Sequence, residues 1–550
     1  MCRRTKRQKN RPVQLHSLSR VPLVARRDLR SSGPLVNHRY LLHPLKEGYA
    51  QPASRPKHNT RRMSDLQLTP HQQTSFEQLR RFLTTDDHQV FLLRGYAGTG
   101  KTTLVRFLLQ FMADSCEHLH PILLASTGRA AKILERRTGQ PATTLHSHIY
   151  TFKEVDDGNA DPTADYNQET QQLSLCFELR AAADPEHRGR AVYFIDEASM
   201  LSHVEAHGDT SARFGSGSVL TDFLNFVGRD RIVFIGDPAQ LPPPVGKKPF
   251  SSALSAIFLR DHYGLKVAET ELTEVIRQGA DVPILQLATR LRREVYAATQ
   301  RADWQILMRD PVYRFFTPFN QNILADRYLK TTGQDFSKAV IITHSNKQTH
   351  YLNNIIRTKR FGAKQTHRLQ PDELLQITQN NYLVPLSNGD QVLVRKARPY
   401  GRSAGFFFLM LHVEDISTGI IHEVPLLYDF LFETRANLAP EDFRRLLIDF
   451  DRRARARGIK RKSEDYKTAL SNDPYLNALR AKFGYAITCH KAQGGEWDTV
   501  FLNLSQSLDR LEPEARYRWL YTAVTRAEHR LELKHVYQPP KADRQTVRVR

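Results

Sequence analysis

Cysteine is scarce. Cys2, Cys116, Cys176 and Cys489 are the only four in 550 residues, and no two stand in Cys-x-x-Cys spacing or beside other metal-ligating side chains. That scatter excludes a disulfide framework and a structural zinc site, and points to a reducing compartment where these thiols act as small buried hydrophobes. Long apolar runs are missing too. No stretch reaches membrane-spanning length, and no secretory hydrophobic region is visible. Acids are nearly absent from one segment. Residues 1–62 hold 16 of the 80 Lys and Arg residues but only Asp28 and Glu47, so +14 of the net +22 lies there and +8 on the rest. The body is only mildly basic, and its charge alone is weak evidence for a polyanionic partner.

What is present is ordinary for a soluble globular protein of two to four domains, with 40% apolar and 25% charged residues. Residues 1–62 have no periodic apolar pattern and read as disordered. Three readings compete for them: a basic arm for nucleic-acid phosphates, an organelle transit peptide, or an untranslated leader upstream of Met63. The last is favoured, because the ordered pattern begins just after Met63. Residues 541–550 read as a basic tail.

From Leu68 onward, short apolar strands alternate with helices, the pattern of an α/β fold with parallel sheets. The most specific stretch is Gly95-Tyr96-Ala97-Gly98-Thr99-Gly100-Lys101-Thr102-Thr103, between the strand candidate Gln89–Leu93 and the helix candidate Leu104–Met112. Strand, glycine-rich loop and helix make this a phosphate-binding P-loop. Its backbone N–H groups wrap phosphate oxygens, helped by the helix dipole. Lys101 is expected to reach the β- and γ-phosphates and the Thr102 hydroxyl to ligate Mg²⁺. The nucleotide site then comprises Gly95, Gly98, Thr99, Gly100, Lys101, Thr102 and Thr103.

Two more strands end in polar residues. Ala191–Ile195 closes on Asp196-Glu197, and Arg231–Ile235 on Gly236-Asp237-Pro238-Ala239-Gln240. In a parallel sheet these ends gather at the carboxyl edge, where α/β folds place ligands. Asp196 suits a Mg²⁺-holding role, Glu197 the orientation and deprotonation of attacking water, and Gln240 contact with a γ-phosphate. ATP hydrolysis is the natural reading.

The ordered series Gly95–Thr103, Ser126–Lys132, Ala142–His146, Asp196–Met200 and Gly236–Pro242 resembles the motifs of superfamily-one DNA helicases, in particular the RecD/Dda-like group. Further along, Glu271–Gln278, Gly484–Glu496 and Trp519–Ala527 resemble its motifs IV, V and VI. Upstream, Leu68–Gln72 resembles its adenine-reading motif through Gln72. The resemblance implies two RecA-like parallel-sheet P-loop NTPase cores, residues 63–267 and residues 268–381 with 481–540. It also implies a small strand-separating pin subdomain about 147–190 and an SH3-like β-barrel in the insert 382–480. Within that insert the residues Glu441–Arg480 read as charged helix, with the run Arg452–Arg457 as a basic face. Arg277 and Arg526 become arginine fingers and Glu496 a nucleotide contact. Thr127, Gly128, Arg129, Lys132, His146, Thr488 and His490 become contacts to a nucleic-acid strand. Gly495 stands where the family commonly has Ser, a change expected to be tolerated.

The implied activity is an ATP- and Mg²⁺-dependent helicase and translocase on single-stranded DNA or tailed duplex. The inferred direction is 5′→3′, with DNA repair or recombination as the kind of process served. An RNA motor is the alternative within the class. A non-catalytic nucleic-acid-binding module leaves Glu197, Arg277 and Arg526 unexplained. A guanine-nucleotide switch fails because Thr349 replaces the acid in Asn346-Lys347-Gln348-Thr349. The expected location is cytoplasmic, at a bacterial nucleoid, with organelle targeting by residues 1–62 as the other reading and no membrane partner.

Overall fold

The computed structural model describes residues 67–156, 174–181, 190–205, 212–243, 250–276, 282–297, 303–308, 320–461 and 463–534. The leader, the basic tail and Arg277 lie outside the described residues. From β1 (Val90–Gly95), β2 (His120–Ala125) and β3 (Ala142–Thr144) the chain leaves for a small sheet, β4 (Tyr150–Asp156) and β5 (Ser174–Leu179). It returns as β6 (Ala191–Asp196), adds β7 (Ala212–Phe214) to the small sheet, and completes the first sheet with β8 (Arg231–Gly236) and β9 (Val267–Leu272). The first sheet has the order β3-β2-β6-β8-β1-β9, and every pairing in it is parallel.

Helices cover both faces, which is why its strands read as near-continuous apolar runs. Phe91 and Leu93 of β1 pack with Leu79 and Phe82 of α1 (Pro70–Thr84) and Leu104 and Leu108 of α2 (Lys101–Ser115). Val90 and Leu92 point the other way, into a cluster with Leu220, Phe223 and Leu259. α1 starts on a capping box. Gln72 N–H donates to Thr69 Oγ1 at 3.3 Å, Thr69 N–H donates to Gln72 Oε1 at 3.1 Å, and Pro70 stands at the first turn.

A second parallel sheet, β16-β10-β17-β18, uses β10 (Ala339–Thr343), β16 (Ala486–Thr488), β17 (Trp497–Asn503) and β18 (Ala527–Lys534). Between β10 and β16 lies an antiparallel sheet of β11 (Leu374–Ile377), β12 (Gln391–Ser403), β13 (Phe406–Asp415), β14 (Ile421–Leu427) and β15 (Ala481–Phe483). The insert is wider than 382–480 because β15 pairs with β11, Leu375 opposite Phe483. Likewise β9 carries the first sheet to Leu272, past residue 267, since Val90–Gly95 pairs along its whole length.

The segment read as one charged helix, Glu441–Arg480, contains two, Pro440–Ala456 and Glu464–Ser471. Its arginines are not all a free basic face. Asp451, fully buried, accepts from Arg461 at 2.7 and 2.8 Å, and Arg455 pairs with it at 3.0 Å. Arg453 pairs with Asp449 at 2.8 Å and with Asp473, so acids opposite neutralise much of the run, while Arg452 and Arg457 stay exposed. Asn346 opens a helix, Asn346–Phe361, behind the cap residue Ser345. No helix among the described residues is long and apolar enough to cross a membrane.

Candidate active site

The P-loop joins β1 to α2. Gly98 and Gly100 have φ of 78° and 82°, a left-handed backbone that glycine adopts without strain. Four neighbours hold the loop. Lys101 Nζ donates to the carbonyls of Gly95 at 2.7 Å and Tyr96 at 3.1 Å. Gln72 Nε2 donates to the Thr99 carbonyl at 3.2 Å, and Ile276 N–H to the Gly98 carbonyl at 3.0 Å. The fourth, Tyr521 of the second core, accepts from Ala97 N–H at 3.2 Å. Gln72 is buried and both ends of its amide are engaged, so in this conformation it braces the loop.

At the end of β6, Asp196 Oδ1 accepts from the N–H of Glu197 at 2.9 Å. Glu197 is left-handed, with φ 52°, a strained conformation for a residue with a side chain and one that clusters at functional sites. Burial pushes its carboxyl up to about 7; Arg526 and Lys101 oppose the shift and Asp196 adds to it. Burial also raises Asp196, against the pull of the Glu197 N–H and of Lys101.

Facing Glu197 Oε1 at 4.0 Å is Arg526 Nη1, from the start of the turn into β18. The buried guanidinium donates to the carbonyls of Thr522 at 3.1 Å and Gly495 at 3.2 Å. More bonds cross the cleft beside it. Tyr521 OH donates to Asp237 Oδ2 at 2.6 Å, Leu241 N–H to Thr522 Oγ1 at 2.9 Å, and Gln493 Nε2 to the Leu241 carbonyl at 2.9 Å. Arg518 donates to the carbonyls of Gln240, at 3.2 Å, and Pro238. Gln240 is buried, and its Oε1, like Ser199 Oγ, has no hydrogen-bond partner. Glu496 is ion-paired with Arg137, which joins the two cores at a further point.

Two family models match this layout. One described as an AAA domain covers residues 67–305, and one described as a UvrD-like helicase C-terminal domain covers residues 483–533. An uncharacterized protein of Acanthamoeba polyphaga mimivirus is 22% identical, the match covering 84% of this chain and 98% of that one. The ATP-dependent DNA helicase dda of Enterobacteria phage T4 is 26% identical over 54% of this chain and 57% of its own. The ATP-dependent RecD2 DNA helicase of Deinococcus radiodurans is 22% identical over 80% of this chain and 46% of its own. These matches bear out the resemblance to superfamily-one helicases.

The residues expected to line a nucleic-acid strand fall into two groups. Thr127 caps α3 (Gly128–Thr138), its Oγ1 accepting from Ala130 N–H at 3.2 Å. Thr127 follows β2 of the first sheet, half-buried Thr488 ends β16 of the second, and exposed His490 lies just beyond it. The other group is occupied within the protein. Lys132 Nζ lies 2.7 Å from Asp390 and 2.9 Å from Asp415, both buried carboxylates of the antiparallel insert. Arg129 lies 4.0 Å over the Trp497 ring and donates to Gln391 at 3.3 Å, and burial lowers its guanidinium to about 10. Gly128 is pressed so closely on Ser387 that an added Cβ would come within 2.0 Å of that side chain. His146 joins an aromatic cluster, 5.7 Å from Tyr150 and 5.8 Å from Phe214, where burial keeps its imidazole neutral-leaning.

Asp237 and Tyr521 lie inside motifs that give them no role in the sequence, and Arg137 and Trp497 carry no sequence signal. Nothing local marks any of the four, because each acts through a partner far along the chain.

Gly495 has a reason that sequence reading missed. A Cβ there would lie 2.6 Å from the buried Trp497 ring and 2.9 Å from Arg129 Nε. Gly495→Ser is therefore expected to destabilise the protein by about 1–3 kcal/mol, the range for overpacking a rigid neighbour. Thermal denaturation would show this, and an unchanged midpoint would mean that Trp497 moves freely.

The raised Glu197 carboxyl predicts a pH signature. Between the ordinary value of 4.5 and about 7, the folded chain keeps a proton that the unfolded chain has lost. Stability of the nucleotide-free protein should then fall as pH rises through that window. Glu197→Gln should flatten the decline in urea titrations, and equal slopes for both proteins would show an ordinary Glu197.

Proposed function

We infer that this protein is an ATP-dependent DNA helicase that hydrolyses ATP in the cleft between its two parallel-sheet cores and moves 5′→3′ along single-stranded DNA. The observation that carries the reading is the approach of Arg526, from the second core, to within 4.0 Å of Glu197 at a strand end of the first. A cation delivered across a cleft stabilises charge that develops in phosphoryl transfer, and it ties hydrolysis to the relative position of the cores. That coupling is what a motor needs. Two relatives named as ATP-dependent DNA helicases support DNA as the track.

The residues present suit the nucleotide. On this reading Lys101 and the loop N–H groups would bind phosphate oxygens, Glu197 would orient the attacking water, and Arg526 would meet the transferring group. Mg²⁺ would be held by Thr102 and Asp196, with phosphate oxygens and water as its remaining ligands, and would supply charge neutralisation. Thr127, Thr488 and His490 would make backbone contacts that ignore sequence, as stepping along any strand requires. A pin role for the β4-β5-β7 sheet and an SH3-like role for the antiparallel insert in the DNA channel belong to the same proposal.

The test is steady-state ATPase activity without nucleic acid, with single-stranded DNA and with single-stranded RNA. Stimulation by DNA is expected, and stimulation by RNA alone would reverse the choice of substrate. Lys101→Ala should abolish turnover. Arg526→Ala should lower it by about 10³-fold, the order seen for trans-acting arginines. A near-normal rate in Arg526→Ala would place that side chain outside the catalytic arrangement.

A further inference from the structure

The Tyr521 hydroxyl is buried where three separate segments meet. It donates to Asp237 Oδ2 at 2.6 Å, on the loop after β8, and accepts from Ala97 N–H at 3.2 Å, in the P-loop. Asp237 is itself buried, and its other oxygen accepts from Ala239 N–H at 2.9 Å, so its carboxylate is held on both sides. A phenol in this place is more than filler, because phenylalanine would pack as well and leave a buried carboxylate oxygen and a loop N–H without their partner.

The link from Tyr521 to Arg526 is short and stiff. Thr525 donates to the Tyr521 carbonyl through N–H at 3.0 Å and through Oγ1 at 2.9 Å. Arg526 Nε then donates to the Thr522 carbonyl at 3.1 Å. A shift of the Tyr521 hydroxyl is carried into the guanidinium, since no flexible segment lies between them to absorb it. Its neighbours Thr522 and Arg518 also bond to the loop after β8, but neither touches the P-loop with a hydrogen bond.

We propose that Tyr521 is a positioning residue for ATP hydrolysis: by bonding Asp237 and Ala97 together it seats the helix Pro513–Val524 on the first core, so that Arg526 reaches Glu197. The assignment rests on the reading of the cleft as the hydrolytic site. It gives the second core a contact on the same loop that wraps phosphate, one helical turn from the arginine that acts on it. Occupancy of the P-loop and placement of Arg526 are then one mechanical event.

The experiment compares full-length wild type with Tyr521→Phe, Arg526→Ala and the double variant in DNA-stimulated ATPase assays. Tyr521→Phe should lower kcat about tenfold, the factor governed by one hydrogen bond to a buried charge, with KM for ATP little changed. The double variant should be no slower than Arg526→Ala, because Tyr521 acts only through that guanidinium. A wild-type kcat in Tyr521→Phe overturns the proposal. So does a double variant slower than Arg526→Ala by the full Tyr521→Phe factor, the mark of general loosening. If Tyr521→Phe does not fold, Asp237→Asn weakens the same bond from the other side with the phenol in place, and the same non-additive pattern is expected. ATP turnover missing from the wild type overturns the ATPase reading and the proposal with it, whereas normal wild-type turnover with an unaffected Tyr521→Phe overturns the proposal alone.

Discussion

A carboxylate and a guanidinium from opposite cores, 4.0 Å apart where water barely reaches, set the terms for the rest of this molecule. Removing Glu197 from water favours its neutral form, and Arg526 and Lys101 push it back toward the ion, leaving it near 7. A group balanced there can take a proton from water at neutral pH, which an ordinary exposed glutamate does poorly. The balance holds only while the cores are close. Opening the cleft would rehydrate the carboxylate and withdraw the guanidinium together, so the same electrostatics that tune this carboxyl also report the position of the cores.

Keeping the cores at that distance is the work of neutral and charged bonds spread around the cleft. The helix Pro513–Val524 reaches the P-loop and the loop after β8 through Tyr521, Thr522 and Arg518. The antiparallel insert grips the first core from another side. Lys132 sits between Asp390 and Asp415, and Arg129 between Trp497 and Gln391. Two like-charged carboxylates in one buried place are held together by the cation between them; without Lys132 they would keep only the Ser387 and Ser417 hydrogen bonds and the nearby Arg129 charge. Residues that look like a basic helix face in sequence are thus fasteners between parts of the fold.

Much of the fold was legible because a parallel sheet buried on both faces needs continuous apolar strands, and the chain has them at Gln89–Leu93, Ala191–Ile195, Arg231–Ile235 and Ala339–Thr343. The boundaries were less so. Leu272 and Leu374 belong to sheets whose partners, Gly95 and Leu393, lie far away in sequence, and only pairing reveals where such strands start and stop. The segment 441–480 misled for a related reason: a high density of arginine reads as one solvated helix until Asp449, Asp451 and Asp473 are seen facing it.

Contiguous residues dictate the glycine-rich loop, the acids at the end of β6 and the order of the motifs. These are local: backbone freedom at Gly98 and Gly100, a lysine one position later, and carboxylates that follow an apolar strand are properties of contiguous residues. Only the tertiary structure shows which partner each basic residue meets. Arg526, Arg129 and Lys132 all carry a positive charge, and what separates them in the fold is the partner each meets: Glu197 across the cleft, Trp497 beneath a guanidinium, or two carboxylates on the insert. Charge acts through space and falls with distance, so its role is assigned by the fold that sets the distance.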